Sequence, residues 1–464
     1  MKNNSKIHFE ISERKILLRV FDVFFVLGIL HLLGISFDFY YFKISESNFY
    51  WTIILSVYLL FFGTIFEMYN LQTASNQFQI TKSIILTSLA TVLFYLFTPI
   101  LTPALPENRL QILLFFAAIF ISLYFWRTIY VSFFASTRFF KKVILVCDKS
   151  ELKELVSGLQ NVDPNYKIEA FIDLNVLNEK ISKDNFIKEI SLKDCKQFIG
   201  ENNISEVVLA SQKGDSVTIE LYKILINLLE NGVVIRDYTQ VYESITQRIP
   251  LQYITKDFYT FFPFSRNNQN QLYLFSIRFF DVLFSSIGLL IGILLMPFVI
   301  LGNCLGNKGS LFYTQDRIGK NGKVFKIYKL RSMVTNAEQA GAVFATENDD
   351  RVTTFGKFLR KTRLDEVPQF INVLLGEMSI IGPRPERPVF VKKIADIMPF
   401  YETRHILKPG LTGWAQVNYS YGENIEDSLI KLQYDLYYIK HRSVFIDLNI
   451  VIKTIRTVLF FKGQ

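Results

Sequence analysis

The chain has 464 residues, room for two or three domains, and half of them are apolar, including 45 Phe, more than a water-exposed surface can hide. Its net charge of +9 invites a nucleic-acid reading, but in so hydrophobic a chain basic residues gather at the cytoplasmic face of a bilayer, so the lipid bilayer is taken as the partner and nucleic acid is set aside. Cys147, Cys195 and Cys304 show no CxxC spacing, and His8, His31, His405 and His441 lie far apart, which excludes a zinc site or a disulfide framework.

In chain order, apolar stretches at about 16–36, 50–68, 83–101 and 111–135 each approach the roughly 20 residues of a membrane-spanning helix, so residues 1–138 read as four transmembrane helices. The first is too long for a cleavable signal peptide, contains Asp22, and is followed at once by further spans. Lys6, Arg14, Lys15 and Arg19 precede the first span, and Arg138, Lys141 and Lys142 follow the fourth. Both ends are therefore expected on the cytoplasmic side.

From Lys141 the texture changes to β-branched runs alternating with amphipathic stretches: Val143 to Cys147, a helical pattern near Glu151 to Leu159, Glu206 to Ala210, and Val233 to Arg236. That rhythm predicts a Rossmann-like parallel α/β domain over residues 139–262. A dinucleotide site would carry GxGxxG after the first strand, so that a pyrophosphate approaches a helix N-terminus. Here that turn reads Cys147-Asp148-Lys149-Ser150, without glycine, which favours a structural or regulatory role.

A fifth apolar stretch, 272–305, has Arg266 and Arg278 before it and Lys308, Arg317, Lys320, Lys323 and Lys326 after it. Positive charge on both flanks asks for both ends on the cytoplasmic side. Pro297 lacks a backbone donor and kinks a helix, which allows the segment, about 274–304, to enter and leave one leaflet as a re-entrant helix. A tilted span with a tolerated proline is the other reading. The stretch 446–461 is either a core helix or one lying on the membrane surface, and the surface reading is preferred.

Between Tyr313 and Trp414 the chain is dense in paired charges, prolines and glycines: QDRIG, YKLRSM, RKTRLDEVPQ, GEMSIIGPRP and KPGLTGWAQV. Diphosphate chemistry needs cations for phosphoryl oxygens, usually an acid-bound Mg²⁺, and a nucleophile aligned with phosphorus. Lys329, Arg331, Arg360 and Arg384 are the candidate phosphate ligands. Asp365 and Glu366, adjacent and just before Pro368, are the candidate catalytic and metal-binding acids. An Asp-Glu pair taken alone is ordinarily a solvated helix face; the surrounding motifs change that reading.

In order and wording these motifs resemble the bacterial sugar transferase family, the monotopic phosphoglycosyl transferases, over roughly residues 270–464. The pieces that carry the likeness are RFFDVLFS, QDRIGKNGKVFKIYKLRSM, LRKTRLDEVPQFINVLLGEMSIIGPRP, KPGLTGWAQV and YDLYYIK. With four preceding spans and an α/β insert, the whole chain resembles the long polyprenyl-phosphate hexose-1-phosphate transferases that start exopolysaccharide, capsule or O-antigen assembly.

The resemblance implies an α+β membrane protein with a catalytic domain at 263–464 on the cytoplasmic face of the bacterial inner membrane, and a re-entrant helix broken at Pro297. It implies Asp365 as the nucleophile that takes a sugar phosphate from a UDP-sugar and releases UMP, with Glu366 beside it for metal positioning or acceptor activation. Polyprenyl phosphate then accepts the group, with Mg²⁺ as cofactor, and Lys329, Arg331, Arg360 and Arg384 contact phosphate and nucleotide. Further copies of the chain or polysaccharide-assembly proteins are the expected protein partners. Two departures stand out: Gly309-Ser310 replaces a common Gly-Pro, a less rigid turn that activity is expected to survive, and Asn418 is followed by Tyr419-Ser420-Tyr421-Gly422 where many members have Asn-Gly-Arg, which changes donor preference if that arginine binds the nucleotide sugar.

Overall fold

The computed structural model describes residues 11–36, 39, 41–42, 48–70, 73–74, 77–98, 101–134, 141–160, 163, 166–174, 187–192, 194–210, 219–251, 265–307, 309–335, 337, 349–419 and 424–459. Lys308, named above as a basic flank, and the departure at Ser420 to Gly422 lie outside them. Contacts divide the chain into two compact units, Met1–Thr246 and Gln247–Gln464.

The first unit begins with four apolar helices, α1 (Ile11–Ser36), α2 (Phe49–Ile65), α3 (Gln77–Leu96) and α4 (Leu110–Phe134). α1, α3 and α4 are long and apolar enough to cross a membrane, and α2, at 17 residues, is slightly shorter. α3 starts six residues before the expected position, because Gln77 to Lys82 join the helix although they add nothing to the apolar run. Val26, Leu30, Leu55, Leu59, Ile84 and Phe115 fill the bundle core. The charge noted in the first span has a partner: Asp22 Oδ2 lies 2.6 Å from Arg127 Nη2 of α4, both essentially unexposed. A carboxylate in an apolar bundle is tolerable only with such a counter-ion.

The unit continues with β1 (Lys141–Cys147), α5 (Leu152–Gln160), β2 (Tyr166–Asp173), β3 (Lys188–Glu189), α6 (Cys195–Asn202), β4 (Glu206–Ala210), α7 (Ile219–Glu230), β5 (Val234–Asp237) and α8 (Tyr238–Thr246). The strands form a parallel sheet of order β3-β2-β1-β4-β5. β1 is central, which explains its unbroken run from Val143 to Cys147: a strand covered on both faces has no polar side to alternate with. β2 was not anticipated, although Tyr166, Ile168 and Ala170 are buried with Lys167 and Glu169 between them, an alternation that the sequence displays.

The second unit is built on α9 (Gln271–Gly306), a 36-residue helix that contains Pro297. It is long and apolar enough to cross a membrane. After it come a hairpin of β6 (Phe312–Ile318) and β7 (Val324–Leu330), α10 (Thr354–Lys361), a single 3-10 turn Leu364–Glu366, α11 (Gln369–Leu375), β8 (Ser379–Ile381) and α12 (Pro388–Ile397). β9 (Gly410–Thr412), α13 (Trp414–Asn418), α14 (Ile425–His441) and α15 (Val444–Leu459) complete it. Trp414, Phe390, Leu432, Leu436, Ile439 and Ile450 form its core. α15 packs on the rest of the unit, as the core reading expects: Thr454 Oγ1 meets Thr412 Oγ1 at 2.6 Å and Lys453 Nζ lies 4.7 Å from the centre of the Trp414 ring, while Phe445 and Leu448 are exposed.

α9 is fastened to the elements behind it by the motif at its start. Arg278 donates from Nη1 to Val373 O at 2.6 Å and from Nη2 to Leu374 O at 2.8 Å, capping the carbonyl end of α11. Ser379 Oγ and Ile380 N donate to Asp281 Oδ1 at 3.0 and 2.8 Å, tying β8 to the same helix. Two glycines let the chain approach closely. A Cβ at Gly288 would overlap the Phe370 ring, and one at Gly292 would lie 2.5 Å from Val367 Cγ1. Gly288→Leu is therefore expected to lower the stability of the second unit by about 1–3 kcal/mol through overpacking. Thermal unfolding of the detergent-extracted protein measures it, with Gly200→Ala, where nothing stands within 4 Å, as the clash-free comparison, expected to match or exceed the parent by up to about 1 kcal/mol because Ala favours a helix. Equal melting of Gly288→Leu and the parent would refute the packing argument.

Candidate active site

The acidic pair sits on the 3-10 turn between α10 and α11, and local chemistry sets that turn. Thr353 caps α10, its Oγ1 accepting from Gly356 N at 2.9 Å. α10 stops where Arg363 adopts a left-handed φ of 61°, and Pro368 lies just before the first residue of α11. Val367 and Phe370, held in the glycine notches of α9, flank the turn on its downstream side.

Glu366 is the hub of a cation cluster. Its Oε1 lies 3.0 Å from Arg384 Nη2, 3.5 Å from Arg363 Nη1 and 3.6 Å from Lys329 Nζ. Burial opposes ionisation of Glu366, yet the charges of Arg384, Lys329 and Arg363 outweigh it and hold its carboxyl well below the usual range. Burial pushes Lys329 down to about 8, against the attraction of Glu366.

Asp365 has a different environment. It is 7% exposed, and its Oδ1 is enclosed without a hydrogen-bond partner among the described residues. Burial first, and the charge of Glu366 second, push its carboxyl up to about 6, while Lys329, Arg360 and Arg363 pull the other way. Adjacent acids are thus differentiated by their surroundings: one is neutralised by three cations, the other keeps an unused oxygen.

Of the four expected phosphate ligands, Lys329 on β7 and Arg384 after β8 meet at Glu366. Arg360, in the last turn of α10, acts electrostatically on Asp365 and donates from Nε to Ser332 Oγ at 3.0 Å. The structure does not bring Arg331 to the acids. Its Nε donates to Ser310 O at 2.7 Å and its Nη2 to Asn307 O at 2.6 Å, which fastens the end of β7 to the end of α9.

Sequence reading missed Arg363, although its position three residues before Glu366 was a readable signal. It also missed the scaffold behind Arg384. Arg404 Nη2 donates to Arg384 O at 3.0 Å and pairs with Asp435 Oδ2 at 2.8 Å, so the aspartate of YDLYYIK steadies the loop that carries Arg384. Arg317 supports the same loop, donating from Nη1 to Pro385 O at 3.1 Å and lying 3.6 Å from Glu386.

Among the described residues, the Asp365 carboxyl is a donor open to a divalent metal. Glu366 Oε1 is already shared by three cations, and no group of three or more His, Cys, Asp or Glu is gathered among the described residues. Magnesium commonly takes one or two carboxylates and completes its shell with substrate phosphates and water, so Asp365 fits it and Glu366 fits it less well.

Residues 272–461 match the bacterial sugar transferase family. The chain is 39% identical over 255 residues to the UDP-N-acetylgalactosamine-undecaprenyl-phosphate N-acetylgalactosaminephosphotransferase of Aeromonas hydrophila, a match that takes in 55% of this chain but only 59% of that protein. It is 30% identical over 341 residues to the galactosyl transferase CpsE of Streptococcus agalactiae serotype III, covering 69% and 72% of the two chains. With the UDP-glucose:undecaprenyl-phosphate glucose-1-phosphate transferase of Escherichia coli K12 it shares 40% identity over 185 residues, 39% of each chain.

Proposed function

The chain belongs to the bacterial sugar transferase family, and from that premise we propose that it transfers a sugar 1-phosphate from a UDP-sugar to polyprenyl phosphate in the bacterial inner membrane, the first membrane step in building a surface polysaccharide. One observation carries the reading: a buried carboxylate with an unused oxygen, Asp365, beside an acid that gathers three cations, Glu366.

Asp365 attacks the phosphorus that bears the sugar. An Asp365 O–P bond forms, the diphosphate P–O bond breaks, and UMP leaves with the bonding pair. An oxygen of polyprenyl phosphate then attacks the same phosphorus, forming a lipid diphosphate sugar and returning Asp365 as a carboxylate. Lys329, Arg384 and Arg360 hold phosphoryl oxygens and offset the charge of the donor. Magnesium, when bound, supplies further positive charge to the diphosphate, and Asp365 is the residue that would hold it. Glu366 keeps the cations in position. Arg331, with two donors committed to carbonyls, serves as a clamp.

The membrane steps suit the second unit. α9 runs as one helix through Pro297 and carries exposed Phe275, Phe279, Leu294 and Phe298 along its length; with Arg266 and Lys308 flanking it in the sequence, a re-entrant course from the cytoplasmic face is part of this proposal. The five-stranded parallel sheet of the first unit, read as Rossmann-like, is assigned a structural or regulatory role, because its β1–α5 turn lacks the glycines of a dinucleotide site.

Membranes containing the protein, incubated with a panel of UDP-sugars and undecaprenyl phosphate, are expected to release UMP with one or a few donors and to yield the matching lipid diphosphate sugar. Absence of any donor-dependent UMP release would overturn the proposal.

A further inference from the structure

Asp365 is not the only group of the turn with an unused atom. Gln369, the first residue of α11, is 3% exposed, and its Nε2 is enclosed without a hydrogen-bond partner among the described residues. Burying an amide N–H unpaired costs about 1–3 kcal/mol, so such a group in a well-packed element calls for an explanation.

Position supplies one. The 3-10 turn runs directly into α11 through Val367 N to Leu364 O at 3.2 Å, Phe370 N to Val367 O at 3.1 Å and Ile371 N to Pro368 O at 3.0 Å. These bonds join residues three apart, the tighter path of a 3-10 turn, in which residues four apart do not share a face. Asn372, three residues on in α11, does share a face with Gln369 and bonds to β7 at Lys326 and Tyr328, which turns Gln369 toward the strand that carries Lys329. An acceptor without a donor and a donor without an acceptor thus border one cluster, and the two do not bond to each other.

The next amide on α11 behaves differently. Asn372 Nδ2 donates to Lys326 O and Glu377 Oε2, both at 2.7 Å, and its Oδ1 accepts from Tyr328 N at 3.1 Å. Asn372 is spent on holding β7 to α11. Gln369 has no such employment.

We propose that Gln369 is a substrate-contacting residue whose side-chain amide donates to a non-bridging oxygen of the phosphoryl group in transfer. This rests on the phosphotransfer reading above. The group that fills the gap must touch Asp365 on one side and accept a hydrogen bond on the other, and a phosphoryl group under attack does both. A neutral donor suits this position. The cations around Glu366 already balance the donor's charge, whereas an amide aimed at the phosphoryl oxygen gains strength as charge develops there without holding the product once UMP has left. The residue neither takes nor gives a proton. In both half-reactions the bonds that form and break are those at phosphorus, and Gln369 donates to an oxygen that keeps its bond throughout.

The test uses the full chain in membranes, with the UDP-sugar that supports UMP release. Gln369→Leu, which removes the amide at similar volume, is expected to lower kcat by about 10²–10³-fold with KM changed by less than about 3-fold, the pattern of an interaction made in the transition state. Gln369→Glu, nearly isosteric, is expected to lose more, since it adds a negative charge facing Asp365 and the phosphoryl group. A kcat within about 3-fold of the parent in Gln369→Leu, or a loss confined to KM, would overturn the assignment. Should Gln369→Leu fail to fold, Gln369→Glu decides: parental turnover there refutes the role. Asp365→Asn is run beside them. If that variant releases UMP within about tenfold of the parent, or the parent releases none, the phosphotransfer reading falls and this inference with it; if Asp365→Asn is inert and Gln369→Leu is fully active, only this inference falls.

Discussion

Asp365→Asn is expected to abolish UMP release from the UDP-sugar, by about 10⁴-fold or more, because an amide oxygen is a poor nucleophile toward phosphorus and the two-step route has no other entry. The substitution is nearly isosteric at a buried position, so it separates chemistry from folding. Burial raises the carboxyl of Asp365 from 3.8 to about 6. For an acid shifted upward, ionisation opposes folding: the penalty is absent below the usual 3.8 and complete once pH passes about 6. Removing the charge should therefore leave thermal unfolding at pH 8 unchanged or raise it, while activity vanishes. The same shift gives the parent enzyme its acid limb, since the protonated carboxyl cannot attack; UMP release should decline as pH falls through about 6. Quenched mass spectrometry of the parent, incubated with donor alone, should find a sugar-phosphate adduct on Asp365. Residual activity in Asp365→Asn within about tenfold of the parent would remove Asp365 from the role of nucleophile.

Which parts of this were legible in the sequence follows from how each part is specified. The apolar helices and the buried strands β1 and β4 were readable because burial writes itself as uninterrupted hydrophobicity. The pair Asp365-Glu366 was readable as a candidate only through its neighbours, as charge pairs are common on surfaces. Sequence could not tell Arg331 from Lys329, since both are basic residues at the end of one strand; what separates them is that Arg331 reaches carbonyls at the end of α9 while Lys329 reaches Glu366. Nor could it show that RFFDVLFS matters for fastening: Arg278 and Asp281 act on Val373, Leu374, Ser379 and Ile380, roughly a hundred positions away. Gln369 and Asn372 look alike in PQFIN, and only the count of satisfied hydrogen bonds divides them.

Glu366→Gln carries the second large effect, and it should appear in stability as well as rate. Three cations converge on one carboxylate oxygen, and removing its charge leaves Arg384, Arg363 and Lys329 to repel one another in a site where Glu366 is 13% exposed. Breaking a buried ion pair by deleting one partner typically costs 3–5 kcal/mol; with Arg384 and Arg363 about one-third exposed, a loss of about 3 kcal/mol is expected. Activity should fall by about 10²-fold or more, because the cations that must hold the donor phosphates lose their anchor. Lys329 supplies a pH signature. Burial already sets it near 8 with Glu366 opposing the shift, so without that carboxylate Lys329 gives up its proton at lower pH, and what turnover remains should fade on the alkaline side earlier than in the parent. A double-mutant cycle isolates the pair: Glu366→Gln combined with Arg384→Met should cost less stability than the sum of the two changes, by about 1–3 kcal/mol, since the second substitution removes a charge that the first left unbalanced. Additivity within about 0.5 kcal/mol would mean that Glu366 and Arg384 do not depend on each other, and the hub would have to be assigned to Lys329 and Arg363 alone.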